Sequence, residues 1–191
     1  MAGSGRYTVI LDACVLFSRL QRDILLSLAD ADLYTARWSA DIEREWHSAL
    51  TARYPDAGQK LNKLAEQMRL TVPDCLVEGY QHLIPSLELP DANDRHVLAA
   101  AICGNADAIV THNTRDFPRH ILNDFDIELQ TPDQFVLNQI LLCPARSISV
   151  IKSMRQRWTN PAVSACAMIT LFEQRALPQT AAHLRDVLDL I

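Results

Sequence analysis

Tyr7-Thr8-Val9-Ile10-Leu11-Asp12 is the stretch that decides the fold. A short β-branched apolar run of this kind is what a parallel strand buried on both faces requires. A carboxylate directly after it stands at the carboxyl edge of a sheet. The device repeats at Ala106-Asp107-Ala108-Ile109-Val110-Thr111, a second apolar strand that runs into the polar turn His112-Asn113-Thr114-Arg115-Asp116 before Phe117-Pro118. Open α/β sheets bind ligands at that edge. Five acidic residues, Asp12, Glu45, Asp91, Asp94 and Asp116, fall where strands hand over to helices, and the pattern suggests a metal site.

Working outward, the hydrophobic periods alternate. Strands are expected at 7–11, 33–36, 106–111 and 126–130, with a short extended stretch near 70–72. Helices are expected at about 21–31, 39–53, 58–68 and 92–103, and Thr131-Pro132 opens another, with Thr as cap and Pro at its first position. This implies an α/β fold of three layers, a mostly parallel sheet sandwiched between helices, over residues 6–142. Beyond Cys143-Pro144 no strand signal remains. Helical segments at 146–158, 162–175 and 178–190 make a C-terminal extension, residues 143–191. Its last helix puts Ala181, Leu184, Val187, Leu188 and Ile191 on one face, too apolar to stand in water alone. It either folds back on the first domain or meets a partner.

Local geometry separates the acidic residues. In a helix from Ala92 to Cys103, Val97, Leu98, Ala101 and Ile102 form one apolar stripe, and Asp94 falls in its middle. An ionised carboxylate turned toward a core needs a cation, hydrogen bonds or a proton. Asp94 also suits a first-turn cap, but Asp91 and Asn93 are available as caps, which moves Asp94 toward a ligand role. In the helix capped by Ser39, Ile42, Trp46, Ala49 and Leu50 make the inner face, and Glu43 and Glu45 flank it on opposite sides. Helical geometry does not choose between them, and either reads equally as a solvated charge at the edge of the stripe.

Composition narrows the class. At 191 residues with 49% hydrophobic content, the chain is able to bury one real core. It has no apolar run of transmembrane length and no secretory signal pattern, and Met1-Ala2-Gly3-Ser4-Gly5 reads as a flexible lead. Cys14, Cys75, Cys103, Cys143 and Cys166 are odd in number and scattered, so they read as small core residues in a reducing cytoplasm. Among the six histidines, His96 is expected on the outward side of its helix and His112 in the polar turn near the proposed metal. The net charge of −5 is awkward for approach to nucleic acid, which Lys and Arg drive. Arg146, Lys152, Arg155 and Arg157 offer a local basic patch, but Ile148, Ile151, Met154 and Trp158 beside them make an apolar stripe, so a solvated helix face is the favoured reading.

Taken together, Leu11-Asp12-Ala13-Cys14, the helix from Ser39 through Glu45-Trp46, Leu89-Pro90-Asp91-Ala92-Asn93-Asp94-Arg95-His96-Val97-Leu98 and Ala106 to Phe117 resemble PIN domains. Within that superfamily they most resemble the VapC toxins of bacterial toxin–antitoxin pairs. The resemblance spans about residues 6–140, and the tail is similar to a helical extension of one VapC subgroup. It implies a Mg²⁺- or Mn²⁺-dependent ribonuclease, an RNA substrate, a VapB-like antitoxin, a possible homodimer and no membrane association. It carries catalytic and metal-site roles onto Asp12, Glu45, Asp94 and Asp116, with Asp91 a further candidate ligand, and it selects Glu45 over Glu43. Many members have Asp at the position of Asn113, so the fourth ligand is Asp116, Asn113 or a water held by both. Thr111, Asn113 and Arg115 are the candidate substrate contacts. The implied chemistry suits these residue types: hard cations take oxygen ligands, and clustered carboxylates without metal repel one another. A haloacid dehalogenase-type phosphatase is disfavoured, because Cys14 stands where its second Asp is needed. The alternative that remains is a PIN-like scaffold that binds RNA or protein without cutting.

Overall fold

The computed structural model describes residues 6–191, so the expected flexible lead lies outside the described residues. Five strands form one sheet: β1 (Thr8–Leu11), β2 (Thr35–Ser39), β3 (Leu76–Val77), β4 (Ala108–Val110) and β5 (Glu128–Gln130), in the order β3-β2-β1-β4-β5. Every pairing is parallel, with Val9 beside Ala108 and Leu11 beside Val110. Successive strand residues face opposite sides of a sheet. Val9, Ile10 and Leu11 are all fully buried, as are Ala108, Ile109 and Val110, so both faces of the central strands are covered.

The connecting helices are α1 (Ala13–Phe17), α2 (Arg19–Asp30), α3 (Ala40–Arg53), α4 (Gly58–Thr71), α5 (Arg95–Cys103), α6 (Arg119–Asn123) and α7 (Pro132–Leu142). The expected helix at 21–31 is α2, and a short helix with no counterpart among the expected elements, α1, precedes it; the extended backbone of Ser18 separates the two. The extended stretch expected near 70–72 is the end of α4, and the edge strand comes later, at 76–77. A bare apolar pair at a sheet edge carries too little pattern to be seen beforehand. The Ser39 cap forms as expected, its hydroxyl accepting from Ile42 N at 3.2 Å, and Thr131 with Gln134 completes a full capping box. Ile42, Trp46 and Leu50 are buried along α3, but Ala49 is exposed.

The C-terminal region is helical: α8 (Pro144–Arg157), α9 (Ala165–Gln174) and α10 (Pro178–Asp186). It folds back on the sheet domain, with α8 against α2 and α7 and α10 against α7. Met154, Phe172, Leu177, Ala181 and Leu184 are fully buried in the same core as β1 and β4. Buried Asp133 of α7 anchors this packing, accepting from Gln179 N and Thr180 N at 2.9 Å each, which caps α10 from another helix. The basic residues of α8 are partly engaged: Arg157 donates to Asp23 at 2.9 Å and Arg155 to Val163 O at 3.0 Å. Arg146, Lys152 and Arg157 are exposed, in agreement with the expected solvated helix face, while Arg155 is partly buried. Of the five free cysteines only Cys75 is buried, so the expectation of core cysteines holds for one residue alone. Among the described residues no helix is long and apolar enough to cross a membrane.

Candidate active site

The chain winds one way from β1 through β2 to β3 and the other way through β4 and β5, so the order reverses between β1 and β4. A crevice at the carboxyl edge is expected at that switch point. Asp12 leaves β1 there. Its backbone is extended and its carboxylate caps α1, Oδ1 accepting from Ala13 N at 2.6 Å. Oδ2 accepts from Thr111 Oγ1, also at 2.6 Å, and Cys14 Sγ lies 3.1 Å away. Asp12 is 6% exposed and Thr111 fully buried, so this is a held carboxylate, not a free one.

Thr111 passes the link on. Its oxygen accepts from Asn113 N at 2.9 Å, and Asn113 Nδ2 donates to Asp94 Oδ2 at 2.9 Å. Asp12 and Asp94, far apart in sequence, are thus joined through two residues of the turn after β4. Asp91 takes the capping task, Oδ1 accepting from Asn93 N at 2.8 Å, while Asp94 makes no side-chain cap. Half-buried Asp94 has its carboxyl pushed up to about 6, first by burial and then by the negative charges of Asp12, Asp91 and Asp116, with His96 opposing weakly. Asp116 closes the turn, its N–H 3.4 Å from Asn113 O, and the fully buried Phe117 anchors its far end. Arg115 is exposed on the same turn.

The two glutamates of α3 separate in space. Glu43 is half-buried, accepting from the Trp38 indole at 3.2 Å and pairing with Arg69 at 3.2 Å. Glu45 is exposed, and its Oε1 lies 2.8 Å from His96 Nε2, out of line for a good hydrogen bond. His96 corrects the sequence expectation: its side chain is only 11% exposed and faces α3. Burial alone would lower its pKa, but Glu45, Asp41 and Asp12 together raise it. An imidazole two residues after Asp94 gives no periodic signal of its inward turn, because the chain enters α5 through a 3₁₀ turn at Ala92–Asp94 that shifts the phase.

Cys14 is a site residue that sequence reasoning placed in the core. Its thiol touches Asp12, lies 3.3 Å from Thr111 Oγ1 and accepts from His112 N at 3.3 Å. Burial, then the charge of Asp12, pushes that thiol up to about 12, so it stays protonated and donates. Its position two residues after a strand-end carboxylate was the available signal. Among the described residues no three carboxylate, imidazole or thiol groups are gathered as a ready-made cage. The donors are hard oxygens around a shared excess of negative charge. That fits a cation which keeps several waters and takes one or two carboxylates from the protein.

A doubly wound parallel sheet with linked carboxylates at its switch point defines an acidic-site α/β domain. The family model described as PIN domain matches residues 8–115, more than half of the chain, and the chain belongs to that family. Residues 132–186 match a second family model, described as VapC50 C-terminal domain. A protein of Mycobacterium tuberculosis named "Putative ribonuclease VapC50" is 34% identical over 107 residues, covering 56% of this chain and 62% of that relative. No solved structure matches the chain significantly.

Proposed function

We propose that the protein is a Mg²⁺- or Mn²⁺-dependent endoribonuclease acting as the toxin of a VapBC-type pair. The observation that carries the reading is the link from Asp12 through Thr111 and Asn113 to Asp94 at the switch point, with Asp94 pushed up by burial and then by neighbouring negative charge. The relative's printed name supports the substrate class.

In this reading Asp12 and Asp94 hold the ion, and Asp116, Asn113 and Glu45 stand at its edge. A bound ion would supply an acidified water and neutralise phosphodiester charge. Thr111, wholly buried, serves by positioning Asp12, so contact with the phosphate backbone passes to Asn113 and Arg115. Asp91, whose carboxylate caps the 3₁₀ turn, contributes negative charge and position. Glu45 and His96, as a contacting pair, fix the α3 side of the crevice. The division at residues 142 and 143, a VapB-like antitoxin, a homodimer and a cytoplasmic location belong to the same proposal. The neighbouring reading frame tests the antitoxin.

The catalytic test compares wild type with Asp94→Ala on total cellular RNA with Mg²⁺, with Mn²⁺ and with EDTA. Cleavage by wild type alone, abolished by chelator, is the expected result. Equal cleavage by both proteins exposes a contaminant. No cleavage across several RNAs and both metals turns the reading to a non-catalytic RNA- or protein-binding scaffold.

A further inference from the structure

Gln21 joins the acidic site to the C-terminal helices. It lies on α2, is 2% exposed, and uses both ends of its amide. Nε2 donates to the backbone oxygen of Arg175, in the turn after α9, at 2.7 Å, and Oε1 lies 2.8 Å from His112 Nε2. A peptide carbonyl only accepts, so the amide nitrogen must face Arg175 and the amide oxygen must face the imidazole. That oxygen also only accepts, so the proton of the His112 ring sits on Nε2. His112 lies between Thr111 and Asn113, the two residues that link Asp12 to Asp94, and its own N–H is held by Cys14 Sγ.

We infer that Gln21 is a positioning residue, which fixes His112 as its Nε2–H tautomer and braces the 111–113 turn of the acidic site against the C-terminal helical region. The polarity of the relay is set by the Arg175 carbonyl, so the tail determines how the ring is held. The inference deepens the nuclease reading in its effect on turnover. The hydrogen-bond relay itself stands without it.

The test uses the full chain. Two-bond ¹H–¹⁵N correlation of the imidazole nitrogens reads the tautomer of His112, with His112→Ala assigning the signals. Amide hydrogen exchange reads the 111–113 and 174–177 turns. Wild type is expected to show a single Nε2–H tautomer. Gln21→Leu is expected to give mixed tautomers and exchange about fivefold or more faster in both turns, the factor that goes with one lost hydrogen bond. Gln21→Glu keeps an acceptor for His112 but loses the donor to Arg175. It should keep a proton on Nε2, whether the ring is neutral or an imidazolium, while the 174–177 turn alone exchanges faster, and it stands in if Gln21→Leu fails to fold. On RNA, kcat is expected to fall in Gln21→Leu with KM little changed, because Gln21 touches no substrate. An Nδ1–H or mixed tautomer in wild type, or an unchanged tautomer and unchanged exchange in the variants, overturns the inference. Cleavage by Asp94→Ala at the wild-type rate would instead overturn the nuclease reading and leave the tautomer result standing.

Discussion

Asp94 is held partly buried and among other carboxylates, at a cost to its charged form. Its pKa of about 6 in the fold stands above the ordinary 3.8, so the fold disfavours the charged form. The stability it contributes is complete below the ordinary value and is lost as pH rises through about 6. In EDTA, Asp94→Asn is therefore expected to melt above wild type near neutral pH, and the difference should vanish toward about pH 4. A melting series across that range checks it, and a difference constant in pH would mean that charge is not the cause. Asp12 is a poorer subject for this test, because it is a cap and accepts from Thr111, so charge removal there also disturbs hydrogen bonds. The two glutamates of α3 make a second residue-scale prediction. Glu43→Ala leaves the buried Trp38 indole N–H unpaired and should cost about 1–3 kcal/mol in denaturant unfolding. Glu45→Ala, at an exposed position, should leave stability nearly unchanged and lower RNA cleavage. The reverse pattern would move the functional role to Glu43.

At the scale of elements, helix ends hold more of the design than helix faces. Asp12 starts α1, Ser39 starts α3, Thr131 starts α7, and Asp133 reaches from α7 to start α10. Ser39 and Thr131 are legible as caps because cap and helix are contiguous in sequence, whereas α1 is too short to show a period, so Asp12 is legible only as the end of a strand. The Asp133 cap is invisible, since the cap and the helix it serves are separated by two other helices. Asp133→Ala removes two charge-assisted bonds to backbone N–H groups, that of Thr180 buried and that of Gln179 partly so, and is expected to destabilise the protein by about 2–4 kcal/mol. Chemical denaturation measures this, and a loss below about 0.5 kcal/mol, the low end for an ordinary cap, would show that α10 is held by its apolar face alone.

For the whole molecule, the C-terminal helices share one core with the sheet domain. Phe172→Ala, at a fully buried site on α9, is expected to cost about 3–5 kcal/mol. Because the core is continuous, calorimetry should show a single transition that moves down as a unit. Two transitions, only one of them shifted, would mean that the sheet domain and the tail unfold independently. The sequence by itself determined the parallel α/β class, the strand-end position of Asp12, the caps at Ser39 and Thr131, and the helical character of the tail. Those features are local: they come from the period of apolar residues and from the residue before each helix. Tertiary structure alone decided that Glu43 serves the core and Glu45 faces His96, that Thr111 and Asn113 join Asp12 to Asp94, and that Gln21 ties Arg175 to His112. Each of these depends on the phase of a helix entry, on strands aligned in register across the sheet, or on the C-terminal helices folding back on α2. Such alignments bring together residues up to 154 positions apart, and no local pattern encodes them.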